Sequence, residues 1–90
     1  MISKEFDISI REAERRLSTT LQHKLRIVLR CYTIVNFSLN LENNSFTFNK
    51  TNRVRGITLN DSKEYSGTFT LNKYPNLPEK KEYNLIITLN

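Results

Sequence analysis

The sequence predicts an α+β fold in which one long N-terminal amphipathic helix packs on a mainly antiparallel sheet of about five strands. Three observations predict it. Apolar residues recur at spacings of three and four from Ile10 to Tyr32, apolar and polar residues alternate from Thr33 onward, and turn-forming residues separate the alternating segments. A chain of 90 residues corresponds to one domain, spanning residues 1–90.

The helix is predicted to begin at Ser9. Ser9 and Glu12 have the spacing of a capping box, in which each side chain accepts a hydrogen bond from the other residue's amide. We expect the helix to run to about Arg30. An end near Leu21 is the main alternative, because residues 25–41 also fit a strand period of two. The apolar stripe consists of Ile10, Ala13, Leu17, Leu21, Leu25, Val28 and Tyr32.

The first two strands after the helix are predicted to form a hairpin. Strand begins near Thr33, and Asn43-Asn44 provides a two-residue turn because Asn tolerates positive φ. This turn would place Leu41 opposite Phe46. The apolar residues of the first strand would then share one face, namely Val35, Phe37, Leu39 and Leu41.

Three further strands are predicted at residues 55–60, 65–72 and 83–89, with a turn at 60–62 and a longer loop at 75–78. Alternation at Phe6, Ile8 and Ile10 adds a short N-terminal strand. Gly56 and Gly67 each fall inside a predicted strand, where glycine typically marks a bulge or a close backbone approach. The sheet face opposite the core is almost uncharged and rich in Ser, Thr and Asn.

Positive charge is concentrated in one part of the chain. Residues 15–55 contain eight Lys/Arg and one acid, for a net charge of +7, whereas the whole chain carries +5. Charge segregated in this way attracts an acidic partner. On a helical wheel of about 100° per residue, Arg11, Arg15, Arg26 and Arg30 lie opposite the apolar stripe. Lys24 and Leu29 fit this wheel badly.

The candidate binding residues are arginines, which form charge-assisted and often bidentate hydrogen bonds to carboxylates or phosphates. Four lie on the predicted helix and two at a turn of the sheet: Arg11, Arg15, Arg26, Arg30, Arg53 and Arg55.

The residue types of a metal centre or a cofactor site are scarce. His23 is the single histidine and Cys31 the single cysteine, so neither a structural zinc site nor an intramolecular disulfide is expected. No glycine-rich phosphate loop occurs, and we predict no catalytic residues, no metal and no cofactor. The polar N-terminus and the lack of an apolar run of roughly 18–20 residues predict a cytoplasmic protein without membrane contact.

These observations predict a non-enzymatic protein that binds an acidic protein surface or a ribonucleoprotein. A phage-type inhibitor of a host nuclease or defence complex is one protein of this kind. Two alternatives remain: a module that binds RNA or single-stranded DNA directly, and a metal-independent RNase toxin. The RNase alternative would draw on His23, Arg53, Arg55, Glu64 and Tyr65. A homodimer formed through the terminal strand at residues 85–89 is a further expectation.

Overall fold

The computed structural model describes residues 2–60, 63–73 and 82–90. Strands account for 59% of these residues and helices for 24%, so the sheet dominates the described part of the chain. The elements in chain order are β1 (Ile2–Ser9), α1 (Ile10–Arg15), α2 (Leu17–Leu29), β2 (Thr33–Asn40), β3 (Ser45–Val54), β4 (Ile57–Asn60), β5 (Tyr65–Lys73) and β6 (Glu82–Leu89).

The predicted antiparallel arrangement is confirmed, but the sheet has six strands in the described residues and not about five. Its strand order is β1-β6-β5-β3-β2, and every pair is antiparallel. β4 pairs with the end of β3, whereas β5 pairs with the beginning of β3, so the two strands lie end to end along one edge of β3. β6 lies between β1 and β5, so residues 85–89 do not form the edge strand through which a homodimer was predicted, and the homodimer itself stays a prediction.

The prediction of one long N-terminal helix is wrong, because the backbone leaves the helical conformation at Arg16, with φ −132° and ψ 33°. Two short helices result. Positions four residues apart drift by about 40° on a straight helix, so Ala13 and Leu25 would lie about 120° apart. Both residues are buried in the structure, and the break allows each helix to turn its own apolar side to the core.

The predicted helix start is confirmed. The Ser9 amide donates to Glu12 Oε1 at 3.0 Å, and the Glu12 amide donates to Ser9 Oγ at 3.1 Å. At the other end, α2 continues past Leu21 to Leu29, and Arg30 closes it with a left-handed backbone at φ 52°. Glycine is the usual residue at such a helix end.

The hairpin of β2 and β3 differs from its prediction in the turn and in the first strand. Residues 41–44 form a four-residue loop, and Leu39 lies opposite Phe46. The register shifts between Val35 and Ser38, where Asn36 has a φ of 56°. Because a bulge adds one residue to one strand, the inward and outward alternation before the bulge is shifted by one residue relative to that after it. Ile34 is therefore buried in place of Val35.

The remaining strands follow the predicted order with shifted limits. The predicted short N-terminal strand is the eight-residue β1, and the fourth strand begins at Ile57 instead of Arg55. The predicted loop at 75–78 and part of the predicted turn at 60–62 lie outside the described residues.

The core lies on one face of the sheet, where α1 and α2 contribute Ala13, Leu21 and Leu25. The buried apolar side chains of the strands are Ile8, Ile34, Phe46, Phe48, Phe69, Tyr83, Leu85, Ile87 and Leu89. The opposite face carries a row of short polar residues across five strands: Ser3, Thr88, Thr68, Ser45 and Asn40.

Candidate basic interface

Two arginines lie near the end of α2, just before β2 begins. Arg26 lies in the last turn of α2, and Arg30 follows the helix directly. Two residues further on, the Tyr32 amide donates a hydrogen bond to the Thr51 carbonyl oxygen at 2.9 Å. This hydrogen bond joins the end of the helix to the point on β3 where that strand begins to pair with β4.

Residues 51–60, which we call the ribbon, form a two-stranded hairpin from the end of β3 and all of β4. Its turn is Arg55-Gly56, with φ values of 51° and 79°. Two successive residues at positive φ define the type I′ turn, which prefers Asn-Gly. Gly56 therefore lies in a turn. The prediction that it lies inside a strand is wrong. Every residue from Asn52 to Asn60 is exposed.

The ribbon has one apolar and one polar face. Strand pairing places Asn52 opposite Leu59 and Val54 opposite Ile57, so these four residues share a face. Further along β3 the same face carries buried Phe46 and Phe48. In the ribbon, the exposed fractions are 51% for Val54, 63% for Ile57 and 51% for Leu59.

Sequence reasoning missed this exposed face because the alternation of Ile57 and Leu59 is the same as that of a core strand. The signal that would have found it is the Arg-Gly pair between Val54 and Ile57. A two-residue turn at that point makes the segment a short hairpin and not part of a longer strand.

Cationic side chains pack on two tyrosine rings near the base of the ribbon. The Arg53 guanidinium lies 5.3 Å from the centroid of the Tyr32 ring, and its Nη1 donates to Tyr32 Oη at 3.3 Å. Tyr32 is 45% exposed, so its predicted place in the apolar stripe of the helix is wrong. Such contacts fix the direction of an otherwise mobile arginine.

The second ring is that of Tyr65, which packs with two lysines. Lys50 Nζ lies 5.5 Å and Lys63 Nζ 5.0 Å from the ring centroid of Tyr65. The ring also stacks on Phe48, with 5.5 Å between the ring centroids. Lys50 is on β3, three residues before Arg53, so the two clusters lie about 10 Å apart along the strand and on opposite faces of it.

Arg26, Lys50 and the chain segment after α2 are electrostatic neighbours. Burial raises the pKa of the Cys31 thiol, while the positive charges of Lys50 and Arg26 act in the opposite direction. The thiol is therefore kept in its neutral form, which is a poor nucleophile. We call Arg26, Arg30, Lys50, Arg53 and Arg55 the basic surface.

Arg11 and Arg15 lie elsewhere, on α1, which packs beside β1 and β6 at the other side of the sheet. The 13 residues of α2 extend about 20 Å and separate Arg15 from Arg30. Arg11 and Arg15 line a shallow depression of about 460 Å³ together with Ile10 and Glu14. Glu14 Oε1 accepts a hydrogen bond from Tyr83 Oη at 2.9 Å.

The charges of the two regions differ. Residues 2–16 contain four Lys/Arg and four Asp/Glu, so their net charge is zero. Residues 17–60 contain six Lys/Arg and a single acid, Glu42, for a net charge of +5. Glu42 lies in the loop between β2 and β3, at the end of that hairpin opposite the ribbon. Lys24, the sixth cation, lies over the Phe6 ring at 5.2 Å from its centroid.

The residues of the RNase alternative are distributed over several elements. His23 is exposed on α2, Arg53 packs on Tyr32, and Tyr65 packs with lysines at the start of β5. Within the described ranges, no three His, Cys, Asp or Glu side chains form a group that could hold a metal ion. The described helices are too short or too polar to span a bilayer.

The fold and the site define a small antiparallel-sheet protein with two helices on one face and an exposed basic ribbon. No protein-family model, curated protein or solved structure matches the chain.

Proposed function

We propose that this chain is a non-enzymatic binding protein whose basic surface engages an acidic protein or nucleoprotein partner. One observation supports the proposal above all. Five cations lie on the end of α2, on β3 and at the ribbon turn, the Tyr32–Thr51 hydrogen bond joins the end of α2 to β3, and residues 17–41 and 43–60 contain no Asp or Glu. A field of one sign steers and orients an oppositely charged partner.

The chemistry of binding would rest on the guanidinium groups. Arg53 is held against Tyr32 before any partner arrives, so less side-chain entropy is lost when it pairs with a carboxylate or phosphate. Arg55 projects from the turn of the ribbon, where its side chain is exposed. Each bidentate pair is a strong, directional contact.

A protein or nucleoprotein partner is favoured over free nucleic acid. Single-stranded nucleic acid is held largely by bases stacked on open aromatic rings. In this chain, Phe46 and Phe48 are buried, and the Tyr65 ring packs against Phe48 and two lysines. An inhibitor of a nuclease or defence complex in the cytoplasm is a protein of the proposed kind.

Two triple variants with equal loss of charge test the proposal. Arg26→Ala/Arg53→Ala/Arg55→Ala removes three charges from the basic surface, whereas Arg11→Ala/Arg15→Ala/Arg16→Ala removes three from the region of zero net charge. We expect the first variant to lose most of the affinity for poly-L-glutamate at low salt and the second to retain it. Fluorescence anisotropy measures both, with circular dichroism as the check on folding.

Equal loss in both variants would refute the proposed location of the surface. Single- and double-stranded oligonucleotides serve as competitors, and tighter binding to an oligonucleotide than to poly-L-glutamate would favour the nucleic-acid alternative. Cleavage of RNA in EDTA that disappears in Arg55→Ala would establish the RNase alternative instead. A pull-down with mass spectrometry then identifies the natural partner.

A further inference from the structure

We propose that the ribbon is a docking arm whose apolar face contacts an apolar strip on an acidic partner protein. The inference rests on the proposed function and adds the chemistry of the partner's binding site. That site would be a groove lined by aliphatic or aromatic side chains and bordered by carboxylates.

The first support is the exposure of three contiguous apolar side chains. Val54, Ile57 and Leu59 share one face, and each is at least 51% exposed. An exposed apolar patch rimmed by polar residues is typical of a protein interface. Arg55 lies in the turn between Val54 and Ile57, and Arg53 lies on the opposite face of the ribbon, against Tyr32. Arginine is the charged residue that is enriched in such interfaces.

The second support is the backbone of the ribbon turn. Arg55 has a φ of 51°, a left-handed conformation that costs energy for any side chain with a Cβ. Asn or Gly would form this turn with less strain. A residue that strains its turn but places a guanidinium at the tip is expected where that side chain makes a functional contact.

The charges of the ribbon distinguish among three candidate partners: a second copy of the chain, a nucleic-acid phosphate backbone and an acidic protein. A second copy in a symmetric contact would bring the arginines of two ribbons together, because residues 51–60 contain two Arg and no acid. Phosphates would pair with the arginines but would leave Val54, Ile57 and Leu59 without an apolar contact. An acidic protein with an apolar groove satisfies both kinds of side chain.

The experiment compares two polymer probes, poly-L-glutamate and a random copolymer of glutamate and tyrosine. Wild-type protein should bind the copolymer about tenfold or more tightly than poly-L-glutamate, because apolar side chains of the copolymer reach the ribbon. Val54→Thr/Ile57→Thr/Leu59→Thr places a β-branched residue, which favours strands, at all three positions. It should lose this preference while retaining its affinity for poly-L-glutamate.

Leu41→Thr is the control, since Leu41 is 65% exposed in the loop between β2 and β3, away from the ribbon. It should bind both probes as the wild type does. If the triple variant does not fold, Ile57→Thr alone should reduce the preference for the copolymer, because Ile57 is the most exposed of the three.

The outcomes separate the two proposals. Failure of the wild type to bind poly-L-glutamate at low salt would refute the proposed function. Equal binding of both probes, or a copolymer preference that survives in the triple variant, would overturn the docking arm alone. Sedimentation that shows a wild-type dimer which the triple variant abolishes would overturn it in favour of a second copy.

Discussion

At the residue scale, the packing around position 67 leaves no room for any side chain, so glycine is required there. A Cβ at this position would overlap the Thr88 carbonyl oxygen and would lie 2.7 Å from Phe46 Cζ. Phe46 pairs with Gly67 across β3 and β5, so its ring occupies the space that a side chain would need. Of the two alternatives predicted for this glycine, a bulge or a close backbone approach, the structure shows the close approach.

We therefore expect Gly67→Ala to lower the free energy of unfolding by about 1–3 kcal/mol, the usual cost of overpacking a core. Urea denaturation measures the change. Thr70→Ala, at an exposed position of the same strand, should have a small effect. Equal stability of Gly67→Ala and wild type would show that Phe46 can move aside.

The capping box makes stability depend on pH through Glu12. The hydrogen bond from the Ser9 amide lowers the pKa of Glu12 from its ordinary value of 4.5, and the nearby positive charge of Lys24 acts in the same direction. A lowered pKa in the folded state stabilises the protein above the unfolded value. That contribution disappears as the pH falls through the lowered pKa.

We expect Glu12→Gln to be less stable than wild type at neutral pH and the difference to shrink below pH 4.5. Thermal unfolding from pH 7 to pH 3 measures it. Ser9→Ala should cost about 1 kcal/mol at neutral pH. A difference between Glu12→Gln and wild type that is constant over this range would contradict the assigned role of the charge.

At the scale of elements, the ribbon turn would be more stable with Asn than with Arg55, whereas the proposed binding requires the charge of Arg55. Arg55→Asn removes one charge and relieves the left-handed strain at the same position. We expect this variant to gain up to about 1 kcal/mol in the free energy of unfolding and to bind poly-L-glutamate more weakly. Chemical denaturation and anisotropy provide the two measurements.

Arg53→Asn is the matched control, since it also removes one positive charge but does so at a strand position without positive φ. It should weaken binding without the gain in stability. If Arg55→Asn stabilises the protein and binds poly-L-glutamate as tightly as wild type, the turn arginine has no part in the basic surface.

The helix break at Arg16 and the bulge at Asn36 are element-scale features that periodicity alone does not predict. Each changes which residues face the core without changing the order of apolar residues in the chain. The bulge moves Ile34 to the buried face, and the Asn36 side chain donates to Asn49 Oδ1 at 3.2 Å across the strand pair. Such choices depend on the surface against which a segment packs.

At the scale of the whole molecule, charge is distributed along an elongated body with extents of 48 × 25 × 23 Å. Residues 2–16 have no net charge, whereas the end of α2 and the ribbon carry positive charge, and the acids next to them in sequence are Glu42 and Asp61. The predicted stripe from Arg11 to Arg30 is therefore divided between two regions of different net charge.

This distribution predicts that binding of poly-L-glutamate weakens as salt increases, because exposed charges are screened beyond about 8 Å at physiological ionic strength. The salt dependence should be smaller in Arg26→Ala/Arg53→Ala/Arg55→Ala than in Arg11→Ala/Arg15→Ala/Arg16→Ala. Isothermal titration at three salt concentrations measures both. Identical salt dependence in the two variants would contradict the division of charge.

The sequence alone determined the features that depend on neighbours a few residues apart. The capping box at Ser9, the start of β2 at Thr33 and the order of the later strands follow from local hydrogen bonding and from alternation. The concentration of arginine between Arg11 and Arg55 is likewise a property of the sequence.

Only the tertiary structure decided which apolar faces are covered and which cations become neighbours. Ile57 and Leu59 have the pattern of core residues but are exposed in the ribbon. Arg53 contacts Tyr32, 21 residues earlier in the chain. Periodicity reports that residues share a face, but burial depends on whether a distant element lies on that face. For this reason the basic surface and its apolar neighbour appear only in the folded chain.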